Sequence, residues 1–166
     1  MALLTILKFP DPRLRLVAKP VTRFDQTLQQ IIANMFETMV QSKGVGLAAI
    51  QVNILQQIIV MDIEGKNQPL TLVNPEIVEK TDTSASEEGC LSFPGVFATV
   101  QRAKTIKVRF QDVLGEFQER QCEGLESHCI QHEIDHLNGI TFVDHLSALK
   151  RNRILKKLQK LQRSTF

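Results

Sequence analysis

The 166-residue sequence predicts an α+β fold in which mixed or antiparallel β-sheets surround a central helix. Apolar residues recur every three or four positions early in the chain, β-rich runs fill the middle, and helical spacing returns near the C-terminus. Strands grouped between helices are typical of α+β folds and not of doubly wound sheets. The length and the hydrophobic content of 43% favour a single domain spanning residues 1–166.

The first helix is predicted to begin at Thr27 and to be amphipathic. Thr27 and Gln30 have the spacing of a capping box, and Gly44 marks the end of the pattern. The apolar residues that form its expected buried face are Leu28, Ile31, Ile32, Met35, Phe36, Met39 and Val40.

The middle of the chain is predicted to form strands. Gln57–Ile63 is a short β-rich run, and a second run starting at Leu70 is expected to stop at Pro75. From Ile106 onwards apolar and polar residues alternate, and Gly115 supplies a turn, so these residues predict a β-hairpin.

Two more helices are expected after the strands. One extends from about Leu125 to His136 and is ended by Asn138-Gly139, and the other extends from about residue 147 to 163. No acidic residue follows Asp144, whereas seven basic residues do: Lys150, Arg151, Arg153, Lys156, Lys157, Lys160 and Arg163. The rest of the chain contains 13 basic and 18 acidic residues, so its net charge is about −5. The last helix is therefore either a docking surface for a polyanion or a solvated basic face.

The composition also limits the location of the protein. No apolar run approaches the roughly 20 residues of a membrane span, and the N-terminal segment lacks the features of a secretory signal. Three cysteines are too few, and odd in number, for a disulfide framework. We expect a cytoplasmic protein without membrane contact.

The segment "HEIDH" predicts a metal site on the second helix. His132 and His136 are four residues apart and share one helix face, and Glu133 points about a third of a turn away. In a longer version of this pattern a third histidine would stand at Phe142. His128 also lies four residues before His132, but no carboxylate follows it, so this pair makes a poor hydrolytic centre.

A catalytic metal site needs a third protein ligand from elsewhere in the chain. The candidates are Cys90, Cys122, Cys129, His145 and the carboxylates. Cys122 and Cys129 are expected to be packing residues, because one lies on a hairpin strand and the other would crowd the histidine pair. Cys90 is favoured, because it follows a glycine in a turn-rich loop where the backbone can approach an ion.

Three segments together resemble a known family. "GVGLAAIQ", "EGCLS" and "QHEIDH", in this order, are similar to the signature motifs of the peptide deformylases, which remove the N-formyl group from the initiator methionine of nascent proteins. The resemblance extends from "ILKFPDPRLR" to the basic C-terminal helix. It implies that Cys90 joins His132 and His136 around one divalent metal ion. The ion would be Fe²⁺ in the cell, with zinc, nickel or cobalt possible in purified protein.

The resemblance also implies the roles of individual residues. Water activated by the metal would attack the formyl carbon, with Glu133 as general base and then acid. The Gln51 side chain and the Leu91 backbone N–H would stabilise the oxyanion. Glu88 is either a hydrogen-bond partner of a metal ligand or a solvated loop carboxylate. The residues implied at the substrate site are Gly44, Val45, Gly46, Glu88, Leu125, His128 and Cys129.

The sequence departs from the family at His128, where relatives usually have an aliphatic residue in the methionine pocket. The implied partners are formyl-methionyl nascent peptides and the ribosome near its exit tunnel, contacted by the basic helix. A monomer is expected.

Two alternatives remain at this stage. A zinc endopeptidase would need His145 as its third ligand. A ribosome-associated binding module with a structural metal would need Cys129 or His128 to complete four ligands.

Overall fold

In the computed structural model, which describes residues 2–63 and 68–163, an antiparallel sheet of five strands separates two helices. The strands are adjacent in chain order: β1 (Gly46–Ala48), β2 (Ile58–Met61), β3 (Leu70–Cys90), β4 (Phe93–Gln111) and β5 (Phe117–Glu123). The α+β prediction is confirmed. Every strand pairing is antiparallel, as expected for strands that follow one another through short connections.

The helices are α1 (Gln26–Gln41), α2 (Gly124–Leu137) and α3 (Ala148–Arg163). Short 3-10 turns occupy Pro12–Arg15, Ala49–Val52 and Phe142–His145. None of the helices in the described part of the chain has the length and apolar character needed to cross a membrane.

Helix α1 agrees with its predicted position but not with its predicted cap. The side chain of Asp25 accepts a hydrogen bond from the Leu28 backbone N–H, so Asp25 and not Thr27 caps the helix. Most of the predicted apolar face is buried or half-buried, whereas Val40 is exposed at the C-terminal end of the helix.

Alternating residues of β2 connect the two layers of the core. Ile58 and Val60 face α1, and Ile59 and Met61 face α2, because successive strand side chains point to opposite sides of a sheet. All four are buried. Helix α2 therefore packs on the face of the sheet opposite to α1.

The expectation that Pro75 ends its strand is wrong. Strand β3 continues past it because the register against β4 shifts between Val73 and Glu76, and Asn74 adopts a left-handed φ of 51°. Such a bulge accommodates a residue that has no N–H to donate. The side chain of Asn74 replaces the lost pairing with hydrogen bonds to the backbone N–H and C=O of Val21.

The β3–β4 hairpin turns at Leu91 and Ser92, next to the pair formed by Cys90 and Phe93. Cys90 is thus the last residue of a strand, and not part of the predicted loop. Buried residues of β4, the turn Phe142–His145 and α3 form a separate cluster at this end of the hairpin: Phe93, Val96, Val100, Phe142, Val143 and Leu158.

Helix α2 begins and ends close to its predicted positions. Asn138 caps its C-terminus, and Gly139 follows with a φ of +74°. A Cβ atom at Gly139 would lie 2.5 Å from the Arg15 carbonyl oxygen, so this position also needs glycine for space.

Candidate functional site

The HExxH spacing places two imidazole rings on one face of α2. The ring centroids of His132 and His136 are 5.0 Å apart, and both side chains are buried. Phe142 stacks on the His132 ring at 5.8 Å between centroids. The residue that stands where a longer motif has a third histidine therefore packs against the first one.

Cys90 brings a sulfur atom from the end of β3 to the two rings. Its Sγ lies 3.3 Å from Nε2 of His136, and the ligand atoms of Cys90, His132 and His136 all lie within 4.8 Å of one another. No other set of three such residues within 2–63 and 68–163 is grouped in this way. A tetrahedral ion about 2.3 Å from sulfur and about 2.0 Å from nitrogen would separate those atoms by roughly 3.6 Å. The observed spacing therefore fits a metal ion.

The charge around the histidines also suits a cation. Burial opposes a charge on His132, but Glu133, Cys90 and Glu88 raise its pKa well above the usual value. The negative groups that favour a proton on His132 would also favour a divalent cation beside this ring. Burial lowers the pKa of His136 well below the usual value, with His132 adding to the effect. His136 is therefore the neutral form that binds metals.

Glu88 fixes the orientation of one candidate ligand. It is buried, and its Oε1 accepts a hydrogen bond from Nδ1 of His132 at 2.8 Å, which leaves Nε2 for a metal. Arg102 donates to both oxygens of Glu88, from Nε to Oε2 and from Nη2 to Oε1, and its Nη1 donates to Asp135. Burial alone would raise the pKa of Glu88, but the contacts with His132 and Arg102 lower it to about 2.

Glu133 is buried on α2 and lines a cavity together with Cys90 and His132. Burial raises its pKa to about 7, although His132 acts in the opposite direction. Within the described residues its Oε1 has no hydrogen-bond partner. A Cβ atom at Gly46 would lie 2.7 Å from its Oε2, so the bare backbone of β1 passes directly beside the carboxylate. Glu133 is thus a buried carboxylate with a free oxygen and a pKa suited to proton exchange.

Gln51 and Leu91 are both close to Cys90. The Oε1 atom of Gln51 accepts from the Ala48 N–H, which directs Nε2 to Ser92 Oγ at 3.0 Å and to Cys90 Sγ at 3.6 Å. Leu91 follows Cys90 in the hairpin turn. The amide of Gln51 is therefore a fixed donor beside the candidate metal position.

A cavity of about 450 Å³ opens at this cluster. All seven residues that the resemblance implies at the substrate site line it: Gly44, Val45, Gly46, Glu88, Leu125, His128 and Cys129. Gln51, Cys90, Leu91, His132 and Glu133 line it too. Three motifs that are distant in sequence thus meet around one space.

The other candidate ligands lie apart from this group. His145 pairs with Asp135 through its Nε2 at 2.7 Å, and the Cys122 thiol donates to Glu126 at 3.3 Å. Cys129 lines the cavity beside Gly46 and is not one of the three grouped donors. The arrangement that a peptidase ligated by His145 would need is therefore not present among the described residues.

Sequence reasoning missed several residues that shape the site. Arg102 hydrogen-bonds Glu88, and Ser86 and Phe97 line the cavity. Ser84 and Ser92 hydrogen-bond the cavity residues His128 and Gln51. No local motif marks them. Only their position on β3 and β4, or in the turn between them, connects them to the site.

A comparison with models of known protein families identifies the family of this chain. The family model described as polypeptide deformylase matches residues 3–152 of the chain. The chain belongs to the polypeptide deformylase family. Its members are hydrolases that depend on a metal ion, and the three donors described above are placed to bind one.

Individual members of the deformylase family agree closely with this chain. A peptide deformylase of Cellvibrio japonicus is 54% identical over 162 residues, which cover 96% of each chain. The crystal structure of a peptide deformylase from Legionella pneumophila superposes with a TM-score of 0.93 at 47% identity, covering 99% of this chain and 98% of the other. That of Ehrlichia chaffeensis in complex with actinonin gives 0.92 at 38% identity, covering 98% and 99%. Similarity therefore extends over the whole architecture.

Proposed function

We propose that this chain removes the N-formyl group from the N-terminal formyl-methionine of newly synthesised proteins and releases formate. The main support is the grouping of Cys90, His132 and His136, together with the cavity that Cys90 and His132 line with the buried carboxylate of Glu133. Full-length similarity to proteins named peptide deformylase supports the same reaction. Residues 1–166 would act as one catalytic domain in the cytoplasm.

Cys90, His132 and His136 would hold the metal, which we expect to be Fe²⁺ in the cell and zinc, nickel or cobalt in some purified samples. A divalent ion with these three ligands supplies Lewis acidity and lowers the pKa of water toward neutrality. Ligand chemistry alone would favour zinc or nickel over ferrous iron, so the metal in a purified sample can differ from the metal in the cell.

Glu133 would move the proton that the reaction requires. Its Oε1 is free to accept a proton from the attacking water and to return it to the departing amine. Burial raises the pKa of this carboxyl, which favours a group that both accepts and returns a proton. Because the carboxylate is buried against β1, it is held in position for this transfer.

Gln51 and Leu91 would stabilise the negative charge on the formyl oxygen. The Gln51 side chain is held by the Ala48 N–H, and its Nε2 would turn the N–H that points to Cys90 Sγ at 3.6 Å toward the developing charge. The Leu91 N–H would be the second donor. Loss of one such donor typically lowers the rate by about 10²–10³.

The substrate peptide would lie along β1, at the edge of the sheet. Only β2 pairs with β1 in the described sheet, so the backbone of Gly46 can form hydrogen bonds with an extended peptide. The first side chain would then enter the cavity between Val45, Leu125 and Cys129. Such a site would bind only the first residues of a peptide, so a nascent chain could be bound by its N-terminus.

The deciding test measures formate release from a formyl-Met tripeptide by anaerobically prepared, iron-loaded protein. Glu133→Gln should lower kcat by about 10²–10⁴ while the protein retains its metal. Glu119→Gln is the matched control, because it makes the same substitution at an exposed carboxylate on β5 that does not line the cavity. Absence of formate release from metal-loaded wild type would refute the proposal.

Helix α3 would dock on ribosomal RNA near the exit tunnel, with the protein acting as a monomer. Leu158 is buried in the cluster with Phe93, which holds one side of the helix against the rest of the protein. No acidic residue follows Asp144, so the exposed side of α3 would attract RNA phosphates. Among the described side chains of this helix, the exposed basic ones are Lys150, Arg153, Lys156, Lys157 and Lys160.

The docking test should change charge and leave the fold intact. Deleting α3 would remove Leu158 from the core, so replacing Lys156, Lys157 and Lys160 by glutamate is the better perturbation. Salt-sensitive binding to ribosomes should weaken, because each neutralised phosphate contributes to the salt dependence, while turnover of a short formyl peptide should persist. Unchanged ribosome affinity in the triple variant would refute this docking role.

A further inference from the structure

Ser86 and His128 form one polar part of a cavity wall that contains both apolar and charged side chains. Ser86 on β3 and His128 on α2 both line the cavity, and His128 is only 4% exposed. The lining also contains apolar side chains, among them Val45, Phe97, Leu125 and Cys129, and the charged side chains of Lys43, Glu87 and Glu88. A hydrogen-bonding group in such surroundings has a large effect on which side chains can enter, because an unpaired polar group there is costly.

Two serine hydroxyls hold the His128 ring. Ser84 Oγ lies 2.8 Å from Nε2, and Ser86 Oγ lies 2.6 Å from Nδ1. Burial lowers the pKa of His128, which favours the neutral ring with one N–H and one lone pair. Within residues 2–63 and 68–163, His128 is the side-chain partner of both hydroxyls.

The two tautomers of His128 give Ser86 different properties. If Nδ1 is protonated, it donates to Ser86, and the Ser86 O–H can donate into the cavity. If Nε2 is protonated, it donates to Ser84, and Ser86 donates to Nδ1 and keeps a lone pair for the cavity. The Ser86 hydroxyl can therefore act as a donor or as an acceptor without any movement of the backbone.

We propose that Ser86, supported by His128, contacts the end of the first side chain of the substrate and widens the accepted substrates to polar side chains of methionine length. Methionine sulfoxide is the simplest example, since its oxygen is a strong acceptor where the thioether sulfur is a weak one. Norleucine has the same length and no hydrogen-bonding atom. This inference rests on the proposed deformylase function and concerns the same cavity.

Ser84 provides a matched control. Its hydroxyl also bonds to the His128 ring, but Ser84 is not among the residues that line the cavity. Ser84→Ala and Ser86→Ala each remove one hydrogen bond from His128, and only the second removes a group that a substrate can reach. Ser86→Thr keeps the hydroxyl and suits a β-strand.

The experiment measures kcat/KM for formyl-methionine, formyl-norleucine and formyl-methionine-sulfoxide tripeptides with the metal-loaded protein. The ratio of sulfoxide to norleucine should fall about tenfold in Ser86→Ala, the size expected for one lost hydrogen bond. It should stay within about twofold of wild type in Ser84→Ala and in Ser86→Thr. Circular dichroism checks that each variant is folded.

The outcomes separate this inference from the proposed function. Equal ratios in wild type and Ser86→Ala, or equal falls in both alanine variants, would overturn the role of Ser86 while formyl-methionine turnover still supported deformylation. A wild-type protein that released no formate from any of the three peptides would overturn both.

Discussion

Replacing Gly46 by alanine should displace the carboxylate of Glu133. The added Cβ would lie 2.7 Å from Glu133 Oε2 and 2.8 Å from Cys129 Sγ, whereas ordinary contacts begin at 3.4 Å. The atoms must therefore separate by about 0.7 Å and about 0.6 Å. Both neighbours are buried on α2, so the strain moves either the carboxylate or β1.

The displacement should affect turnover more than folding. A misplacement of about 1 Å at a reacting group can lower the rate by about 10²-fold. Overpacking of a core typically costs about 1–3 kcal/mol of stability. We therefore expect kcat for a formyl-Met peptide to fall about 100-fold in a variant that still folds and binds its metal.

Gly44→Ala is the control for this experiment. Its Cβ would lie 2.7 Å from Leu91 Cδ1, the far end of a flexible side chain, so the loss of activity should be less than about tenfold. Formate release, metal content and circular dichroism are measured on both variants. A folded Gly46→Ala protein that kept its kcat within about threefold of wild type would refute the displacement, as would an equal loss in Gly44→Ala.

Three further perturbations test the site and its support. Cys90→Ser should lose bound metal on dialysis against a chelator, while Cys122→Ser should retain it; equal retention would remove Cys90 from the ligand set. Glu88→Gln should weaken metal binding about 10–100-fold in a competition titration, because His132 loses its charged acceptor, and unchanged affinity would contradict this. Burial alone would raise the pKa of Asp144, but hydrogen bonds from Arg15 and the Thr141 N–H hold it below 3.8. This stabilisation is present above about pH 4 and is lost as the pH falls through the folded-state pKa, so urea unfolding of Asp144→Asn should depend less on pH in that range than wild type; identical slopes would exclude the effect.

Helix positions can be predicted because their signals are local. The apolar spacing of α1 and the Asn138-Gly139 stop of α2 depend on neighbouring residues. The cap of α1 is harder to predict, because Thr27 and Gln30 have the spacing of a capping box although Asp25 supplies the hydrogen bond. The start of a helix depends on which of several nearby polar side chains accepts a hydrogen bond from the backbone N–H groups of the first turn.

The long hairpin could not be predicted, because it depends on contacts between distant residues and not on a local signal. Most of β3 after Pro75 is polar and exposed, so it has no apolar alternation to identify it as a strand. Its extension depends on pairing with β4, which is a contact between distant residues. The contacts of Arg102 with Glu88 and of Ser86 with His128 also join residues that are distant in sequence, and no sequence motif encodes either contact.

The sulfur and imidazole donors come from separate structural units, with Cys90 and His136 standing 46 positions apart in the chain. Neither the hairpin tip nor the helix alone offers a complete coordination set. Ion capture should therefore be a late event in maturation, after the hairpin has docked against the helix, and partly folded chains should bind metal weakly.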